Sequence, residues 1–216
     1  MLVLSDDLGL VNIHYGEFKD HETSPDLLAA SVDYHENTTC FDALLFMDQG
    51  YAIVDCIKRI ADDTWENRFI YVNLAKQQRD GEVINELYGE FDHRTPRKIF
   101  RYHDPHNGIE YIVRAYLSHN NNSYIELFEA SNIKEPQILR VFDRSQLSLA
   151  KLNIADIHVY MGDIFFLDYY TGLYRLDILR GQMIQVTGHY PAEHYTKFSL
   201  FSDDLDAELL IALSND

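Results

Sequence analysis

DIFFLDYYTGLYRLDI, residues 163–178, is the stretch whose reading decides the fold. Asp163-Ile-Phe-Phe-Leu-Asp168 is an apolar run between two aspartates, Tyr169-Tyr-Thr-Gly172 is a polar turn closed by glycine, and Leu173-Tyr-Arg-Leu-Asp-Ile178 returns as a second short run. Two runs of this length flanking such a turn read as an antiparallel hairpin. Met183-Ile-Gln-Val186 follows closely enough to add a third strand and make a meander.

The same unit recurs toward the N-terminus. Leu2-Val-Leu-Ser turns through Asp6-Asp-Leu-Gly9 into Leu10-Val-Asn-Ile-His14, and Ala43-Leu-Leu-Phe-Met47 turns at Asp48-Gln-Gly50 into Tyr51-Ala-Ile-Val54. Arg68-Phe-Ile-Tyr-Val-Asn-Leu74 reaches a polar turn read as ending at Asp80-Gly81, with Val83-Ile-Asn-Glu-Leu-Tyr88 beyond. Glu110-Tyr-Ile-Val-Arg-Ala-Tyr-Leu117 passes through His119-Asn-Asn-Asn-Ser123 into Tyr124-Ile-Glu-Leu-Phe128, and Gln137-Ile-Leu-Arg-Val-Phe142 is an outer strand. Anchored on Gly9, Gly50, Gly81, Ser123 and Gly172, the intervals are 41, 31, 42 and 49 residues. Intervals near 40 with several short strands in each are in the range of propeller blades.

On these residues, above all Asp168-Tyr-Tyr-Thr-Gly-Leu-Tyr-Arg-Leu-Asp177 and Asp6-Asp-Leu-Gly-Leu-Val-Asn-Ile13, the sequence resembles a divergent β-propeller of the WD40-like or Kelch-like kind. It has no Trp-Asp dipeptide and no Kelch double glycine, and Gly188-His189 stands alone. The resemblance implies one mainly β, propeller-like domain over 1–216 built from meandering antiparallel hairpins. At about 40 residues per blade the length allows about five blades or an incomplete ring. Short helices are expected near 24–31, where Ser24 caps and Pro25 opens a turn, and near 203–213, where Leu205, Leu209, Leu210 and Leu213 have helical spacing. A strand is the alternative for the second segment. Cys56-Ile-Lys-Arg-Ile-Ala61 reads either as a strand extension or as a helical turn.

The composition, 46% hydrophobic and 13% aromatic, is ample for a core. Eighteen basic against 35 acidic residues leave a formal net charge of -17, which argues against a nucleic-acid partner and suits a basic protein. The one basic cluster, Arg94-Thr-Pro-Arg-Lys98 with Arg101, reads as a solvated approach to a strand. No apolar run nears the roughly 20 residues of a membrane helix, so no membrane association is expected. The start of the chain lacks the basic region of a signal peptide, which gives cytoplasm or nucleus as the expected location. Cys40 and Cys56 are sixteen positions apart with no CxxC or zinc spacing, and no disulfide framework is expected.

The chain carries no Gly-x-Ser-x-Gly, Walker or GxGxxG motif, so no catalytic residue and no cofactor is assigned. His103-Asp-Pro-His106 and His189-Tyr-Pro-Ala-Glu-His194 lack a full ligand set, and no metal is assigned. Paired aspartates at 6–7, 62–63 and 203–204 are explained by turn formation. Tyrosines near turns are the remaining signal. Tyr169 and Tyr170, with Asp168, are the expected partner-binding residues, because two rings in one turn do not both enter a core.

The expected function is therefore a non-catalytic protein interaction scaffold that uses hairpin turns and an acidic surface, its partner a protein that is basic or that completes the ring. One alternative is a small-ligand or carbohydrate-binding or hydrolytic propeller in which Asp, His and Tyr converge on a central pocket, with Asp48, His119 and Asp168 at comparable hairpin positions. The other is an acidic inhibitor or immunity-type partner of a basic protein.

Overall fold

Every strand pair among the described residues is antiparallel and joins strands adjacent in sequence. The computed structural model describes residues 2–5, 9–12, 31–33, 38–46, 48–62, 64–75, 78–85, 95–118, 123–186, 196–202 and 209–214. They contain seventeen strands and no helix. The chain divides into two compact units, Met1–Tyr88 and Gly89–Asp216.

In the first unit, β1 (Leu2–Ser5), β2 (Gly9–Asn12) and β3 (Ser31–Asp33) form a three-stranded sheet. β4 (Thr38–Phe46), β5 (Tyr51–Ala61), β6 (Thr64–Asn73) and β7 (Gln78–Asn85) form a four-stranded one. Continuous apolar runs, not clean alternation, mark β5 and β6 because both faces of the sheet are buried. Ala52, Val54 and Cys56 pack with Ile70 and Val72 on one face, while Ile53, Ile57, Phe69 and Tyr71 are buried on the other. The open choice at Cys56 to Ala61 resolves as strand. Asp80-Gly81 is not a turn: it lies inside β7, with Gly81 opposite Tyr71 beside a register shift, and the chain turns earlier, after Asn73.

The second unit stacks sheets face to face. β8 (Arg97–His103), β9 (Glu110–Tyr116), β10 (Tyr124–Glu129) and β11 (Gln137–Phe142) make one sheet, and β12 (Ile154–Tyr160), β13 (Asp163–Asp168), β14 (Gly172–Asp177) and β15 (Met183–Gln185) the next. Tyr111, Val113, Ala115, Ile125 and Leu127 of the first sheet pack against Ile157, Ile164, Phe166, Tyr174 and Leu176 of the second. The alternate residues of the second sheet, Phe165, Leu167 and Leu173, pack against Phe198 on β16 (Lys197–Ser202), which pairs with β17 (Leu209–Ser214). A period of two therefore supplies two apolar faces from one strand, as in the FFL run of β13.

The helix expected near 203–213 is corrected in its second half: residues 209–213 belong to β17, where Leu213, Ile211 and Leu209 pair with Phe198, Leu200 and Ser202. Short apolar runs fit either period, and here the ladder with β16 takes up the backbone hydrogen bonds. Residues 203–208 and 24–30 lie outside the described residues, and Ser31 begins β3.

Arg94 of the basic cluster lies outside the described residues, and its other members are engaged within the fold, not simply solvated as expected. Arg97 is buried with its guanidinium 4.6 Å from the Tyr116 ring centroid. Lys98 pairs with Asp156, and Arg101 makes a two-pronged contact with Glu110 at 2.9 and 2.8 Å. On the neighbouring strands Arg114 and Glu126 form a fully buried ion pair at 2.6 Å. No disulfide framework is expected from the cysteine spacing, and the chain has one bridge, Cys40–Cys56, between β4 and β5. The hairpin makes residues sixteen apart direct cross-strand neighbours, a relation that motif spacing does not test.

Candidate functional site

Asp168 ends β13, pairs across the turn with Gly172, and is only 2% exposed. Its Oδ1 accepts hydrogen bonds from the Tyr170 and Thr171 backbone N–H groups, each at 3.0 Å, and from the Thr171 hydroxyl at 2.8 Å. Its Oδ2 accepts from the Asn153 N–H at 2.7 Å. The carboxylate therefore acts as a cap that fixes the turn and leaves little acceptor capacity for a ligand. Gly172 closes the turn at φ +105°, a conformation that L side chains rarely adopt. Two more ties come from neighbouring segments: Tyr169 N–H donates to the Asn153 carbonyl at 3.0 Å, and Gln185 Nε2 donates to the Thr171 carbonyl at 2.7 Å.

On this fixed turn Tyr170 is 62% exposed and Tyr169 is partly buried. Their ring centroids are 6.4 Å apart at an interplanar angle of 48°. Burial first, then the neighbouring Tyr170 phenol, push the Tyr169 hydroxyl above its ordinary pKa, so it stays a neutral donor in the physiological range. The pair offers aromatic area with a hydroxyl on each ring, held by a backbone that is already ordered. Exposed Ile184 and Val186 lie on and just after β15, and the Val186 N–H bonds the Leu173 carbonyl at the start of the returning strand.

Of the two other expected positions, Asp48 sits in the exposed turn after β4 in the first unit, and His119 lies outside the described residues. His103 and His106 are both exposed, with His103 Nδ1 2.8 Å from Glu110 Oε1. His189 and His194 lie outside the described residues, as do Asp6, Asp7, Asp63, Asp203 and Asp204. Among the described residues no three His, Cys, Asp or Glu side chains gather as a metal ion would require.

Sequence reading missed a polar cluster where the first strands of successive sheets meet. Asp156 on β12 is buried; its Oδ1 accepts from Lys98 Nζ of β8 at 2.5 Å and from the Ile157 N–H at 2.9 Å. Its Oδ2 accepts from the Phe198 N–H of β16 at 3.1 Å. His158 Nε2 lies 3.5 Å from that oxygen and 3.1 Å from the Phe198 carbonyl, to which it donates. Burial opposes ionisation of Asp156, but hydrogen bonds from His158, Lys98 and the Phe198 N–H outweigh it and hold the carboxyl well below the usual carboxylate range. One side chain thus ties β8, β12 and β16 together. Its signal was hidden because its partners are 58 and 42 positions away in sequence.

A shallow hollow of about 500 Å³ opens at the other end of the β13–β14 pair, lined by Asp163, Arg175, Asp177, Arg180 and the edge residues Met183 and Ile184. Arg175 Nε donates to Asp163 at 2.8 Å, and Asp177 accepts the Leu179 and Arg180 N–H groups. Its charges are engaged mainly with one another and with the turn. No family model matches the chain, and no curated protein matches it.

Proposed function

We propose that this chain is a non-catalytic interaction module that binds a protein partner through its hairpin ends, foremost the 168–172 turn with Tyr169 and Tyr170. The observation that carries the reading is the exposure of Tyr170 on a turn pinned by four hydrogen bonds to Asp168. An aromatic side chain on an ordered backbone loses little entropy on docking, which is what makes tyrosine an effective anchor. The net charge of -17 favours a basic partner, through faster encounter and repulsion of acidic competitors. The scaffold is proposed to be propeller-like, with about five blades or an incomplete ring. Four-stranded meanders stacked face to face in the second unit, with β12 lying against β8 and β16, support that arrangement.

The test is quantitative affinity capture from the native cells with the wild-type chain and with a Tyr169→Ala, Tyr170→Ala double variant. Proteins captured by the wild type and lost at least about tenfold from the folded variant, a change of about 1.4 kcal/mol, are the expected result. Rim charge contacts also predict weaker capture as salt rises. Equal recovery on both baits, with circular dichroism unchanged, removes the turn as the binding surface.

A further inference from the structure

The Cys40–Cys56 bridge sits where the β4–β5 ladder changes register. From Phe46 opposite Tyr51 to Asp42 opposite Asp55 the strands advance residue for residue. Continued unchanged, that register would place Cys40 opposite Ile57. Phe41 is instead an extra residue, and beyond it Cys40 faces Cys56 and Thr39 faces Ile57. The bulge has a second consequence. Cys40 and Ala43, three positions apart, would point to opposite faces of a regular strand, yet both pack on the core formed by Ala52, Val54, Cys56, Ile70 and Val72. Among the described residues β4 is also an end strand of its sheet, with β5 as its ladder partner.

We propose that the bridge is a permanent covalent lock on this bulged register, and that the chain acquires it by folding in an oxidising compartment, in place of the cytoplasm or nucleus expected from its N-terminus. A one-residue slip of β4 would exchange its core-facing and outward-facing side chains, and among the described residues the ladder with β5 is what sets its register. The bridge prevents it by making the bulge the only register compatible with both half-cystines. Cys56 is fully buried, so an attacking thiolate reaches the bridge only from the side of the partly buried Cys40. Formation is a two-electron oxidation. The Cys40 and Cys56 thiols each give up a proton and together two electrons to the disulfide of a thiol–disulfide oxidant, through a mixed disulfide. One S–S bond forms in the chain, and the oxidant leaves as two thiols. Glutathione and thioredoxin systems keep such pairs reduced in the cytosol, whereas secretory and extracellular compartments supply the oxidant.

Both parts are tested on the full chain. Protein from its native cells is acid-quenched, alkylated with light N-ethylmaleimide, reduced, and alkylated again with the heavy form. The tryptic peptide 20–58 carries both cysteines. Two heavy labels are expected, and light label on both thiols overturns the compartment assignment. Hydrogen exchange is then followed with and without dithiothreitol, and on a Cys40→Ser, Cys56→Ser variant in parallel. Amides of 38–46 are expected to exchange at least about tenfold faster on reduction and to regain protection with glutathione disulfide. Equal protection in the oxidised and reduced chains overturns the register lock, whether or not the serine variant folds.

Discussion

The β4–β7 and β12–β15 sheets are both four-stranded antiparallel meanders with a bulge between their first two strands, yet unlike chemistry fixes them. In the first, the bulge at Phe41 adjoins a covalent bridge. In the second, the register shifts between Ile154 and Asp156, and the Asp156 carboxylate at that shift bonds its own strand, β8 and β16. One architecture thus resists slippage by a bond that reductants break and, elsewhere, by a buried carboxylate that acid neutralises. Conditions that leave one device intact remove the other, so the two can be separated.

The largest effect is expected from deleting a carboxylate of the second sheet. Asp168→Ala removes the buried acceptor for three backbone N–H groups and one hydroxyl. Unsatisfied buried donors each cost about 1 to 3 kcal/mol, with partial relaxation in a turn, so a loss of about 3 kcal/mol is expected from urea unfolding. A loss under about 1 kcal/mol contradicts the assignment of Asp168 as the cap. Dithiothreitol, in contrast, should leave exchange protection at the Tyr170 and Thr171 amides of the wild-type chain unchanged.

Asp156 gives a smaller effect with a distinctive pH dependence. Its carboxyl is held below the usual range in the folded chain, so ionisation stabilises the fold above the unfolded carboxyl pKa of about 3.9. That contribution disappears as pH falls below about 4 toward the folded value. Asp156→Asn, which retains an acceptor oxygen but no charge for Lys98, is expected to cost about 2 kcal/mol at pH 7. The gap between wild type and variant should narrow steadily from pH 5 down to pH 2. Glu110 is also held low, first by its hydrogen bond from Arg101, against burial, so a parallel Asp156→Asn titration is needed to isolate one carboxylate. A gap that stays constant with pH excludes ionisation as the source of the stability.

The same contrast explains what was legible in the sequence. Hairpins with compact turns, such as 43–54 and 163–178, announce themselves because pattern and turn lie within one window. The first strands β8, β12 and β16 do not. RKIFRYH and IADIHVY carry Lys98, Asp156 and His158, which look like surface residues until the partner strands are in place. Gly81 misled because a glycine beside an aspartate signals a turn, whereas here it serves a bulge inside β7. The turn at 169–172 is legible because its residues are contiguous, whereas the capping by Asp168 is only partly so, since one of its four donors, the Asn153 N–H, lies 15 positions away.

Tyr170 should show the smallest effect on stability. Its side chain is 62% exposed, and what Asp168 holds at this position is the Tyr170 backbone N–H, which any non-proline residue retains. Tyr170→Ala is therefore expected to change unfolding free energy by less than about 0.5 kcal/mol, as surface substitutions do. Asp168→Ala carries the opposite signature, unfolding the turn while leaving both rings in the chain. If partner capture falls for both variants, the binding surface is the tyrosine pair in the geometry that Asp168 imposes. Capture lost only in the Asp168 variant would instead place the contact on the turn backbone, and a Tyr170→Ala chain destabilised by about 2 kcal/mol or more would make that ring a part of the core.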